Sequence, residues 1–334
     1  MKPVICITMG DPSGIGPEII IKSLSAPAVR EAASFIIVGD EFVFKQTTAL
    51  TGAAFKYKTI KNIKQIDSNS SGVLLLDLKN INRKNYRYGC VCSEYGKAAI
   101  EYIKKAYLLI KSEKAHALVT APINKYSAKK SGFKFKGHTE FLAHLCGAKN
   151  VAMMLTGGPF TIVLATTHIP MKTVAGSLKK DNLLKMIMLI DEWMRVYFEA
   201  QFCKIGVCAL NPHAGEEGTI GVEEKQIIIP AVEQARKKGI NICGPYPADS
   251  LFYQAYDGEY DVILCMYHDQ GLIPLKMVAR DESVNITLGL SFIRTSPAHG
   301  TAFDIAGKNK ANSRSFSAAI RAAAQMASRK KASV

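Results

Sequence analysis

Three of the seven histidines share a local setting that suits a metal. His168 closes the run IVLATTH, His213 closes VCALNPH and His268 closes VILCMYH, each just past an apolar, strand-like stretch. In α/β sheets, ligands collect outside the carboxyl ends of strands. Three imidazoles converging there would hold a divalent cation and leave positions open for chemistry. Asp269, beside His268, would add a fourth ligand or orient the ring from behind. Taken singly, each histidine reads as well as a satisfied loop or core residue, and spacing alone does not bring the three together. His116 opens the strand-like KAHALVT and His144 sits in a helical run, so both read as structural.

A second group of residues suits an anion. The turn GDPSGIGP (10–17) precedes a helical stretch and would present free backbone N–H groups to phosphate or carboxylate. It lacks the G-K-[ST] of a P-loop and the spacing of the dinucleotide fingerprint, so a tight strand–helix connection competes with that reading. His138 and Thr139 lie in KGHTEFL, Lys276 in IPLKMV, Asn285 in VNITL and Arg294 at the end of LGLSFIR. A cation inside apolar sequence points to an internal anion, because burying an unpaired charge is costly. A stem that carries its charge out to solvent satisfies the same pattern.

Positioning these residues requires alternating strands and helices. Strand-like runs occur at 4–8, 34–38, 72–76, 117–120, 152–155, 161–166, 204–210, 262–266 and 285–288. Helical periodicity occurs at 17–25, 93–111, 181–199 and 223–238, with Pro17 suited to a first helical turn. The alternation predicts an α/β protein with a parallel or mixed sheet. With 334 residues, 48% apolar and 21% charged, the composition is globular and a mostly disordered chain is excluded. No flexible linker divides it, so the whole of 1–334 is expected to be one catalytic chain of two intimately packed subdomains.

The remaining features bound the setting. The stretch 151–171 is the longest apolar one, and Gly157, Gly158, Pro159, His168 and Pro170 interrupt it, so no membrane span is expected. The start, MKPVICITMGDPSG, reads as a buried strand rather than a signal peptide. Eight cysteines without a C-x-x-C, several in apolar runs, fit a reduced cytoplasmic protein. The net charge of +15 is spread over several lysine clusters and lacks an aromatic-rich RNA signature. A solvated surface, or steering of a small anionic substrate, accounts for it better than nucleic acid does.

Eight motifs, in order, carry a family resemblance: ITMGDPSGIGPEI, VTAPINK, GHTEFLA, TTHIP, NPHAGE, GPYPADSLF, YHDQGLIPLK and VNITLGLSFIRTSPAHGTAFDIAGKNKAN. Through them the chain resembles, over essentially its whole length, the 4-hydroxythreonine-4-phosphate dehydrogenases of vitamin B6 synthesis. The resemblance implies the isocitrate/isopropylmalate dehydrogenase-like α/β fold, with two subdomains and a cleft. It implies a divalent metal (zinc, cobalt or magnesium) on His168, His213 and His268. It places substrate contacts on His138, Thr139, Lys276, Asn285 and Arg294. The segment HGTAFDIAGKNKAN is similar to the adenosine-holding loop of the wider group, which makes His299, Gly300, Asp304 and Asn312 contacts for NAD or NADP. The family's site lies at a homodimer interface with ligands from both subunits, so an obligate dimer is implied.

The chemistry so implied is metal-assisted oxidation of 4-phosphohydroxy-L-threonine at its 3-hydroxyl. The 3-oxo acid formed carries a carboxylate β to the new ketone and loses CO2, giving 3-amino-2-oxopropyl phosphate. Lys276, a metal-bound hydroxide or a carboxylate such as Asp269 would take the proton. Close relatives oxidise 4-phospho-D-threonate or 4-phospho-erythronate with much the same ligands. A metal-dependent hydrolase or lyase would keep the three histidines but have no use for the 299–312 loop. Departures from the usual family pattern, such as Glu217-Gly218-Thr219 after PHAGE, touch no implied ligand.

Overall fold

The run VICIT becomes β1 (Val4–Thr8), and the runs that pair with it are as apolar as it is. The computed structural model describes residues 2–53, 55–66 and 72–332. The other strands are β2 (Ser34–Gly39), β3 (Lys58–Ile60), β4 (Val73–Asp77), β5 (Ala117–Thr120) and β6 (Ala152–Gly157). They continue as β7 (Phe160–Leu164), β8 (Ile205–Cys208), β9 (Ile242–Tyr246), β10 (Val262–Cys265), β11 (Val284–Leu288) and β12 (Ile293–Pro297). The chain divides into two compact units, one of the residues up to Ala148 with Leu290–Ala332, the other Lys149–Gly289.

In the first unit the strand order is β3-β4-β2-β1-β5-β12, and every described pairing is parallel. All residues of β2 and β5 are buried. Alternate side chains of a strand point to opposite faces, so such strands need cover on both. The helix Ser93–Lys111 packs against β1, β2 and β5, and the helix Arg314–Ala332 packs against β12, β5 and β1. Tyr95, Ala99, Tyr102, Ala106 and Leu109 form the buried stripe of the first of these helices, at the spacing its sequence predicts. β1 has β2 on one side and β5 on the other, which makes the carboxyl ends of β1 and β5 a switch point.

In the second unit the order is β11-β6-β7-β10-β8-β9. β11, β6 and β7 run antiparallel in succession, and β7, β10, β8 and β9 are parallel. The helix His268–Ala279 packs on β6, β7 and β10, and Ile229–Lys237 packs on β9. The helix expected over 223–238 is split. It opens with a wide π turn at Glu224–Ile228 and becomes regular only at Ile229–Lys237, where Pro230 occupies the first turn. Among the described residues no helix is long and apolar enough to cross a membrane, and all eight cysteines are free.

Candidate functional site

In the first unit, the turn after β1 is fixed by close backbone approach. Gly10 has φ +74° and its missing side chain would meet Pro122 O, while one on Gly16 would meet Met9 O. Asp11 N donates to Pro122 O at 2.9 Å, tying this turn to the one after β5. Asp11 itself is buried, and its Oδ1 accepts Ser13 N at 3.0 Å. Burial pushes its carboxyl up from 3.8 to about 6, against the pull of the Ser13 and Asn124 amides and the Ser127 hydroxyl.

Arg294 lies inside β12 and is only 3% exposed. Its Nε and Nη2 donate to Thr120 Oγ1 at 3.2 and 2.7 Å, across the β5–β12 pairing. Burial lowers its pKa to about 10, with the Glu140 carboxylate acting in the opposite direction. The same electrostatic neighbourhood includes His138, at the start of the helix His138–Cys146. Its imidazole is held well below the usual range, first by burial and then by the Arg294 and Lys125 charges. Its Nε2 is enclosed and has no partner among the described residues. A neutral imidazole with an open nitrogen, next to a buried guanidinium, is an environment that an anion would stabilise. Thr139 follows it in the first helical turn.

The 299–312 loop belongs to the same unit. His299, Gly300, Asp304 and Asn312 are all exposed. A side chain on Gly300 would meet open space, so this stretch of backbone is accessible. Asn312 Oδ1 accepts Arg314 N at 3.0 Å at the start of the helix Arg314–Ala332, which fixes the side chain and leaves its amide nitrogen free to donate to a ligand. Asp304 lends its backbone carbonyl to Lys308 Nζ at 2.7 Å and leaves its carboxylate in solvent.

In the second unit two of the three histidines come together. β7 and β10 are parallel neighbours, and Thr166 Oγ1 donates to Met266 O at 2.7 Å just beyond their ends. The His168 and His268 rings therefore lie 5.4 Å apart, centre to centre. They line a cavity of about 240 Å³ with Ile169, Met171, Tyr267 and Asp269. Asp269 Oδ1 is 2.6 Å from His268 Nδ1. That contact sets the ring so that Nε2 is the nitrogen left for a ligand.

His213 is not part of that pair. Among the described residues no three His, Cys, Asp or Glu side chains form a group able to hold a metal. His213 is exposed, on a run of left-handed backbone from His213 to Glu217 with φ of 50°, 55°, 79°, 41° and 57°. Glu224, which the sequence reading did not single out, locks the base of this run. It is 1% exposed, and its Oε1 accepts the Leu210 and Asn211 amides, both at 2.8 Å. Its Oε2 takes Asn211 Nδ2 at 2.9 Å and would meet any side chain on Gly215. The available signal was an acid embedded in a helical run beside the NPHAG motif. Gln270 was also missed. It bridges Met266 N and Ala209 O, both at 2.7 Å, and so links the turns after β10 and β8.

Lys276 does not enter an internal site within its unit. It is exposed on the helix His268–Ala279, beside the exposed Ile273 and Met277. Of the two readings its apolar context allowed, the solvent-directed stem is the one observed. Asn285 lies on β11, and its buried Oδ1 has no partner among the described residues.

Comparison with known proteins places these features in a family. The family described as pyridoxal phosphate biosynthetic protein PdxA matches residues 31–323. A 4-hydroxythreonine-4-phosphate dehydrogenase of Aquifex aeolicus is 46% identical over 96% of this chain and 97% of its own. A D-threonate 4-phosphate dehydrogenase of Cupriavidus necator is 41% identical over 98% of both. A crystal structure of 4-hydroxythreonine-4-phosphate dehydrogenase from Klebsiella pneumoniae superposes with a TM-score of 0.89, at 38% identity over 98% of both chains. The matched stretch contains every motif from VTAPINK to the 299–312 loop, and on this ground the chain belongs to the pyridoxal phosphate biosynthetic protein PdxA family.

Proposed function

We propose that the chain oxidises 4-phosphohydroxy-L-threonine at the 3-hydroxyl, with NAD or NADP as acceptor. The product is 2-amino-3-oxo-4-phosphooxybutanoate, which loses CO2 to give 3-amino-2-oxopropyl phosphate. The observation that carries this reading is the facing pair His168 and His268, with Asp269 fixing one ring. Imidazole donors set by a carboxylate fit a zinc- or cobalt-like cation. His213 is assigned as the third ligand, and the exposed turn on which it stands suits contact with a second copy of the chain. That fits a homodimer whose subunits share the metal. When bound, the cation supplies Lewis acidity at the hydroxyl and the nicotinamide accepts hydride.

The other roles belong to the chain. Arg294, held by Thr120, is assigned the bidentate grip on an anionic end of the substrate. His138 adds a neutral nitrogen, Thr139 a hydroxyl and Asn285 an amide whose Oδ1 is unmatched. Asp269 is committed to His268, so its work is orientation of the ring. Lys276 is left as the proton acceptor, delivered from the exposed face of its helix. His299, Gly300, Asp304 and Asn312 are assigned to the cofactor.

The test follows NADH absorbance with metal-loaded protein and 4-phosphohydroxy-L-threonine, with chelator and His213→Ala controls. Reduction that both controls abolish is expected. Absence of reduction in folded protein overturns the proposal. The Cupriavidus necator relative favours a second substrate, 4-phospho-D-threonate. Turnover of that compound alone would keep the mechanism and replace the substrate.

A further inference from the structure

Glu18 and Lys22 stand four residues apart on the helix Gly16–Ser25, the spacing of an ordinary surface ion pair. Their surroundings are not those of a surface pair. Glu18 is 2% exposed, and its Oε1 accepts both Lys22 Nζ and the Ala311 amide at 2.8 Å. Lys22 Nζ also donates to Asn309 O at 3.1 Å and Ala311 O at 3.0 Å. All three ammonium protons are thus used, two of them on the far end of the 299–312 loop. The near end is held by the same turn and helix. Ile15 N donates to Thr301 O at 3.1 Å, and a side chain on Gly14 would press on Thr301 at 3.0 Å.

Between these anchors the loop has little regular structure. Ile305 and Ala306 bond back to Ala302 O, and Lys308 N bonds back to Ile305 O. Ala302 and Asn309 adopt left-handed φ of 41° and 57°. Asparagine tolerates that conformation, whereas alanine does not favour it. The Glu18–Lys22 pair ties the loop down at Asn309 and Ala311. It does so through backbone carbonyls and an amide, so it fixes the shape of the loop rather than the identity of its side chains.

We propose that Glu18 and Lys22 are positioning residues for the dinucleotide, setting the 299–312 loop in its binding shape. The proposal rests on the reading of that loop as the cofactor site. Its test is NADH binding, measured by fluorescence titration on the intact protein without substrate. Lys22→Met removes both carbonyl contacts and is expected to weaken NADH binding about tenfold, the effect of losing one or two net hydrogen bonds. The KM for NAD rises in step, while kcat and the KM for the phosphorylated substrate stay near wild type. Lys22→Arg, which keeps the charge and the donors, restores most of the affinity. Glu18→Gln keeps an acceptor for Ala311 but removes the charge, and gives an intermediate loss if Lys22→Met does not fold. Limited proteolysis within 299–312 accelerates in the weakened variants.

Wild-type NADH affinity in both Lys22→Met and Glu18→Gln overturns the proposal, provided Asp304→Ala and His299→Ala weaken binding. If those two loop variants also bind as wild type does, the cofactor reading itself fails and the clasp falls with it. A drop in melting temperature without any change in NADH affinity assigns the pair a purely structural role and overturns the proposal as well.

Discussion

Asp11→Asn isolates the cost of a buried carboxylate at the turn after β1. Burial raises its carboxyl from 3.8 to about 6 in the folded chain. A group whose folded pKa is raised favours folding fully below its unfolded pKa and loses that contribution as pH rises through the folded one. Between pH 3.8 and about 6 the unfolded chain releases this proton and the folded chain keeps it. At roughly 1.4 kcal/mol per pH unit the interval amounts to about 3 kcal/mol. Asparagine resembles the neutral carboxyl, can still accept Ser13 N, and does not titrate. Urea denaturation of wild type and variant, at one protein concentration and at several pH values from 4 to 7, gives the difference in stability directly. The two should be close at pH 4, and wild type should fall behind by about 3 kcal/mol by pH 7. A gap that stays constant with pH, or that grows in favour of wild type, refutes the reasoning. It would mean that the carboxylate is solvated or paired in the folded chain.

Three further outcomes are expected. Asp269→Asn takes the negative charge off the 2.6 Å contact on His268 Nδ1 and should weaken zinc binding, read by competition with a chromophoric chelator, about 10–100-fold. Glu224→Ala leaves the Leu210 and Asn211 amides without an acceptor under the left-handed turn. It should cost about 3 kcal/mol in denaturant titrations and open residues 213–218 to proteolysis. Arg294→Lys keeps a charge but loses the planar fork on Thr120, and should raise the KM for the phosphorylated substrate by about 100-fold with a smaller change in kcat.

Much of the scaffold was legible because its strands are buried on both faces and so read as short apolar runs. The stretch 4–8 is β1 as expected, and 93–111 is a helix over the same residues. Three strands escaped: β3 is only three residues long and opens on an exposed lysine, and the other two escaped for less local reasons. β12 carries Arg294 in its interior, which hydropathy counts against a buried strand; the Thr120 hydroxyl on the neighbouring strand accepts from its Nε and Nη2. β9 contains Pro245, which cannot donate to a ladder, and the strand is found at the end of its unit's order, where one side needs no donor. Neither compensation is local in sequence.

The histidines divide along the same line. That His168 and His268 meet follows from two strands ending side by side, a relation that the repeated strand-then-histidine pattern anticipates. β8 also lies beside β10, so pattern alone would send His213 to the same place. What intervenes is the left-handed run from His213 to Glu217, in which only Gly215 among its residues has an intrinsic liking for positive φ. Glu224, a carboxylate that satisfies three donors, anchors the two residues at the root of that run. Each left-handed non-glycine residue costs about 1–2 kcal/mol, so the run is costly unless that anchor is in place. A backbone held this way leaves His213 exposed rather than turned toward the His168–His268 pair. Sequence spacing puts His213 just past its strand, but the backbone beyond the strand decides which way its side chain leaves.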